Sequence, residues 1–237
     1  MASTPAASAP PTRYYLMQTY YLRHGTQLAR IHDFFAKSLI PWMNKSYPGP
    51  KIALEAIIAT HTPQAVFLSG HSSLEEVQGM QQSTSAPGFT DWESGPEAPY
   101  EHYTSALLAA TPYSPEVATP ANPPAKPRIF ELRQYHSPTW RQLAFLHERF
   151  AGPEIKIFHK SGIRPLLYTQ TVIGPNMPNL TYLTPFEDLA AREKAWDAFA
   201  ADPEWVKVRK ESVERGGQIA SINQISLFRA APYSPIR

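Results

Sequence analysis

The chain repeats itself, and that constrains its fold more than any other feature. Gln27–Ala36 reads QLARIHDFFA, and 115 residues later Gln142–Ala151 reads QLAFLHERFA. The same ungapped offset aligns Tyr20 with Tyr135, Ile40 with Ile155, Lys45-Ser46 with Lys160-Ser161, Pro63 with Pro178, Leu68 with Leu183 and Leu74 with Leu189. PYSP then occurs at Pro112–Pro115 and again at Pro232–Pro235, an offset of 120, so the second copy is five residues longer between Glu76 and Leu107. A sequence matched over this length is a duplication, and each copy must be a unit able to fold against the other.

The order of elements is clearest in the second copy. Ile129–Tyr135 (IFELRQY) alternates in the manner of a strand, with Phe130, Leu132 and Gln134 on one face and Glu131, Arg133 and Tyr135 on the other. Ser137-Pro138 reads as a helix start, and Leu143, Leu146, His147, Phe150 and Glu154 form one helical stripe. Strands over Arg164–Ile173 and Leu180–Thr184 flank the turn-rich GPNMPN. Thr184-Pro185-Phe186-Glu187 reads as a capping box, opening a helix through Leu189, Trp196 and Phe199. Asp202-Pro203 restarts it, Gly216-Gly217 ends it, and Ile219–Phe228 closes the unit as a strand. The order β-α-β-β-α-β is that of a ferredoxin-like unit. The first copy matches through Glu76, then keeps a short second helix near Leu74–Gln82 and a long loop over Gln81–Tyr100, expected to be a lid or a partner surface.

A ferredoxin-like unit covers one face of its sheet with helices and leaves the other bare. Two units in one chain can close their bare faces on each other. The expected fold is therefore α+β, an intramolecular barrel of two βαββαβ units with helices outside. The expectation here puts the apolar face of each first strand toward the helices and the mixed face toward the shared interior. The units span 13–115 and 128–237. A proline-rich linker over 116–127 joins them, and the small, proline-containing stretch 1–12 is read as a flexible lead-in of the kind left when a signal is removed. The compartment stays open between cytoplasmic and exported.

The second copy resembles the NIPSNAP family of the dimeric α+β barrel superfamily. The resemblance rests on ELRQY, HERFAGPEIKIFHKSGI and GPNMPNLTYLTPFEDLAAREKAWDAFAADPEWVKVRKES, about residues 129–228; the first half is a degenerate copy. It implies the barrel, with tandem units standing in for a dimer of single units. It carries over no catalytic motif. The wider superfamily includes haem-degrading monooxygenases, cofactor-free oxygenases of aromatic polyketides and small-molecule isomerases.

Composition excludes several chemistries. There is no cysteine, so disulfides and thiolate sites are absent, and a formal net charge of +2 gives no footprint for nucleic acid. No apolar run approaches the roughly 20 residues of a membrane span. Neither a GxSxG elbow nor a phosphate-cradling glycine motif occurs. His147 and His159 lie about 18 Å apart along a helix rising roughly 1.5 Å per residue, so they share no ion, and no metal site is expected.

His147 and His32 sit in the apolar stripes of their helices. Each is either a structural histidine bonding a carbonyl or tyrosine, or a general base or axial haem ligand at a pocket wall. Tyr182 and Trp196 are expected to shape that wall. Glu131, Arg133 and Tyr135 face Gln18 and Tyr20 of the equivalent strand, as a salt bridge between the sheets or as a substrate anchor. Three functions follow. The first is a small hydrophobic or aromatic ligand bound between helix and sheet, turned over by a cofactor-independent oxygenase or isomerase. The second is a haem-associated protein, and the third a non-catalytic interaction module. A homodimer of the whole chain stays open.

Overall fold

The computed structural model describes residues 11–81 and 83–237. Most of the expected lead-in, and Gln82 at the expected end of the first half's second helix, lie outside them.

The first half runs β1 (Tyr14–Tyr21), α1 (Gln27–Phe34), a π-helical turn (Phe35–Leu39), α2 (Ile40–Ser46), β2 (Lys51–Ile58), β3 (Gln64–His71), α3 (Leu74–Gln81), α4 (Phe89–Glu93) and β4 (His102–Ala110). The second runs β5 (Ile129–His136), α5 (Trp140–Arg149), a π-helical turn (Phe150–Glu154), α6 (Ile155–Lys160), β6 (Leu167–Ile173), β7 (Asn179–Phe186), α7 (Leu189–Ala201), α8 (Pro203–Gly216) and β8 (Ile222–Ala230). All eight strands close into one antiparallel barrel in the order β1-β3-β2-β8-β5-β7-β6-β4. The halves are joined along two seams, β2 with β8 and β4 with β6. Among the described residues neither half has a free sheet edge, because each lends its last strand to the other's second strand.

The faces of the strands are the reverse of the expected arrangement. Phe130 and Leu132 point into the barrel, where they join Tyr15, Val66, Leu108, Leu167 and Phe228. Tyr135 and Tyr182 point outward, beneath the helices, with Phe150 and Phe158. A closed eight-stranded barrel must fill its own lumen with side chains, and that claims the apolar residues. The helix side can hold Glu131 and Arg133 because helix side chains arrive there to pair with them. Tyr20 lies under the first half's helices, packed on Phe35 and Tyr103, and does not face Arg133.

Local capping also differs from the sequence reading. Ser137 is buried and donates to the Ile219 carbonyl at 2.6 Å, so Thr139 caps α5 by accepting the Gln142 N–H. Thr184–Phe186 continue β7 against β5, and Asp188 caps α7. Asp202 caps α8 with Pro203 in its first turn, and Gly217 at φ +69° ends it, as read from sequence. The stretch expected as an open loop folds down on α1: Trp92 stacks on Phe34 at 4.2 Å, and Arg30 donates to the Trp92 carbonyl at 2.8 Å. Within the proline-rich segment, Glu116 accepts the Thr12 hydroxyl at 2.6 Å, and Val117 with Ile236 plugs one end of the lumen.

Candidate functional site

The helix over α5 and α6 is interrupted by a π-helical turn at Phe150–Glu154, with Gly152 off helical geometry and Pro153 inside it. Proline lacks the N–H the helical ladder needs and crowds the preceding turn. The turn leaves Glu154 fully buried on the sheet side, held by Arg149 Nε at 2.6 Å. Burial pushes its carboxyl from the ordinary 4.5 up to about 7, against the opposing pull of Arg149 and Arg133.

Beside it stands a second buried carboxylate, Glu131. It accepts from Arg133 Nε, from Arg192 Nε and, at 3.0 Å, from Trp196 Nε1. The Arg133 guanidinium lies 3.6 Å over the Trp196 ring and donates through Nη1 to the Tyr135 hydroxyl at 2.8 Å. Tyr182 donates to the same oxygen at 2.9 Å, and burial raises the Tyr182 phenol well above its ordinary value. Above this network, between the α7–α8 pair and the sheet, opens a cavity of about 470 Å³. Arg133, Tyr135, Arg149, Glu154, Arg192, Trp196, Trp205 and Arg209 line it. It combines aromatic walls, four arginines and two carboxyls, Asp197 and the buried, raised Glu154, a surplus of cations that suits a flat molecule able to become an anion.

The first half keeps the tyrosine, Tyr20 for Tyr135, and little else of this chemistry among its described residues. At the 115-residue offset Glu131 corresponds to Leu16, Arg133 to Gln18, Arg149 to Phe34, Glu154 to Leu39 and Tyr182 to Phe67. Leu16, Phe34, Leu39 and Phe67 pack into one apolar cluster. The π-helical turn is present in both halves; the polar network is in one.

His147 lies elsewhere. Its Nδ1 is 2.6 Å from the Tyr113 hydroxyl and its Nε2 is 3.0 Å from Gln170 Oε1. Because an amide oxygen can only accept, Nε2 carries the proton and Tyr113 donates to Nδ1. Burial lowers the His147 pKa, opposed by the Gln170 bond, in keeping with a neutral ring. His147 lines a shallow cleft of about 540 Å³ with Ala109, Tyr113, Ala144 and Gln170. Tyr182 and Trp196 are absent from that cleft, so the wall expected around His147 is not there. The first half mirrors the arrangement: His32 Nδ1 is 2.6 Å from the Tyr233 hydroxyl and Nε2 is 3.4 Å from Glu55 Oε2. Each tyrosine comes from the PYSP closing the opposite half. Ser114 and Ser234 complete the brace by accepting the Tyr168 and Ala53 N–H groups, both at 3.0 Å.

Haem iron needs a histidine nitrogen free to face it. Both nitrogens of His147 are engaged, and His32 has one engaged and the other buried beside Glu55. Neither fits that role. Among the described residues no three His, Asp or Glu side chains converge on a metal position.

The structure thus gathers Glu131, Arg133, Tyr135, Tyr182 and Trp196, and leaves His147, His32 and Tyr20 apart from them. Sequence reasoning missed Glu154, Arg149, Arg192 and Trp205. The signal for Glu154 was present: a carboxylate at the end of an otherwise apolar helical stripe.

No curated protein matches the sequence. Solved structures show the fold. An anthrone oxidase-like protein matches with a TM-score of 0.56 at 11% identity, covering 93% of this chain and 92% of that one. A putative monooxygenase from Lactobacillus acidophilus NCFM matches with a TM-score of 0.55 at 9% identity, covering 92% and 94%. A mutant chlorite dismutase from Candidatus Nitrospira defluvii matches with a TM-score of 0.56 at 12% identity, covering 95% and 94%. The profile of the NIPSNAP family matches residues 130–235. The half of the chain that carries the buried polar network is the half that resembles a NIPSNAP domain.

Proposed function

We propose that the second half binds a small aromatic or hydrophobic molecule with an acidic C–H or O–H in the cavity between its helices and sheet, and acts on it as a cofactor-independent oxygenase or isomerase. The observation that carries this reading is Glu154, a wholly buried carboxyl raised to about 7 at the edge of that cavity, with Leu39 at the matching position of the other half. A carboxyl poised near neutral pH can take a proton and return it. Arg149 and Arg133 stand where the resulting anion is stabilised, and Trp196 and Trp205 supply faces for an aromatic ring. Reprotonation of the anion at another carbon completes an isomerisation; electron transfer from the same anion to dissolved dioxygen opens an oxygenation. His147, the proton-transfer group expected from sequence, has in this reading the role of a brace between the halves.

Anthrone, a C–H acid named by one structural neighbour, is a suitable probe. Titrated into the protein, it quenches tryptophan fluorescence saturably, and bound anthrone shows the absorbance of its enolate with a midpoint near pH 7. Glu154→Gln abolishes the enolate signal and keeps the quenching. Absence of saturable quenching in the wild-type protein refutes the binding site and leaves a non-catalytic module as the reading.

A further inference from the structure

The barrel lumen is divided. One end is plugged by the apolar cluster that includes Val117, Phe130, Phe228 and Ile236. The other end opens into a pocket of about 400 Å³ lined by strands from both halves. Met17, Leu132 and Phe228 form its apolar wall. Around the mouth stand neutral hydrogen-bonding groups: Thr19, Gln64 and Thr104 from the first half, and Gln134, Asn176 and Gln224 from the second. Among the described residues its lining contains no charged side chain.

The second-half groups are already tied together. Asn176 Nδ2 donates to Gln134 Oε1 at 2.9 Å and to Gln224 Oε1 at 3.1 Å, and Gln134 Nε2 donates to Thr181 at 3.1 Å. The first-half side differs. Gln64 is 94% buried, being 6% exposed, and its Oε1 has no hydrogen-bond partner among the described residues. A buried acceptor left without a donor costs roughly 1–3 kcal/mol, and such groups in a folded protein call for an explanation. Here the residue that carries the acceptor lines an open pocket.

We infer that the lumen mouth is a second binding site, distinct from the helix–sheet cavity, for a neutral hydroxyl- or amide-bearing molecule of monosaccharide size. Gln64 Oε1 requires a donor. An ammonium would meet no counter-charge in this lining and a carboxylate no cation, so the donor belongs to an uncharged group. The apolar wall takes the C–H face that a ring polyol presents beside its hydroxyl edge. Because the lining comes from both halves, the site exists only where they close on each other. The inference does not depend on the reading of Glu154, whose cavity is on the opposite face of β5.

The test is a calorimetric and NMR titration of the full chain with N-acetylglucosamine, glucose and myo-inositol, set against charged glucosamine and gluconate. At least one neutral probe binds saturably and raises the unfolding temperature, and neither charged probe does. Gln64→Leu weakens that binding at least tenfold while the ligand-free unfolding temperature stays level or rises, since the variant removes an unpartnered acceptor. Thr104→Val, an exposed change at the rim that preserves the fold, weakens the same probe. The inference is overturned if none of the neutral probes binds, if the charged probes bind equally well, or if Gln64→Leu binds normally or lowers the ligand-free unfolding temperature.

Discussion

Tyr113 and His147 share a 2.6 Å hydrogen bond although Tyr113 belongs to the segment that closes the first half and His147 to the first helix of the second. Tyr233 and His32 repeat the bond at 2.6 Å in the opposite sense. Each half thus holds the other's helix through a tyrosine, and the histidines are placed by the fold before any chemistry is asked of them. Tyr113→Phe strands a part-buried ring nitrogen and is expected to cost about 1–3 kcal/mol. Tyr233→Phe is expected to cost a similar amount, and the double variant the sum, because separate sites add. Urea unfolding of the three variants measures this; a double variant no worse than either single one contradicts two independent braces.

Glu154 gives stability a specific pH dependence. Its folded-state pKa is raised from 4.5 to about 7 by burial. The folded protein therefore binds a proton that the unfolded chain releases, and the stabilisation is fully present below pH 4.5 and lost as pH rises through about 7. Glu154→Gln removes that titration. Relative to the variant, the wild-type protein is expected to lose stability between pH 5 and pH 8, read from urea midpoints at the two values. A difference that stays constant with pH shows that Glu154 does not titrate in this window.

The Glu131 carboxylate neutralises two arginines in the core of the second half. Glu131→Ala leaves Arg133 and Arg192 facing each other without it, and a loss of about 3–5 kcal/mol is expected, the range for breaking a buried pair. Leu16→Ala, at the matching apolar position, is expected to cost about 2–5 kcal/mol through the cavity it leaves. The two are separated by salt: the first loss changes with ionic strength and the second does not. Unfolding at low and high sodium chloride makes the comparison.

Arg209 lines the helix–sheet cavity and forms no ion pair among the described residues. Its removal leaves no partner stranded. Arg209→Ala is expected to weaken 1-naphthoate binding about tenfold, the worth of one charge-assisted hydrogen bond, with an unchanged unfolding temperature. Binding of uncharged naphthalene should be unaffected. Equal weakening of both ligands would mean that Arg209 acts through packing.

The β-α-β-β-α-β order, the closure into a barrel and the start and stop of α8 were legible in the chain, because each is written in local spacing or in like residues at a fixed offset. Caps were less legible. Ser137 has the chemistry of a cap, but the Ile219 carbonyl takes its hydroxyl, and that contact spans 82 residues. The same limit governs the site. Alternation along Ile129–Tyr135 separates Glu131, Arg133 and Tyr135 from Phe130 and Leu132, yet does not say which set enters the lumen; closure of eight strands decides that, since a barrel of this size must be filled by its own apolar side chains. Spacing along the chain is enough to give a closed barrel with helices outside. That Glu154, Arg133 and Trp196 meet in one half, and that each PYSP reaches the other half's histidine, follows from packing, because those contacts join residues whose separation along the chain has no period to announce it.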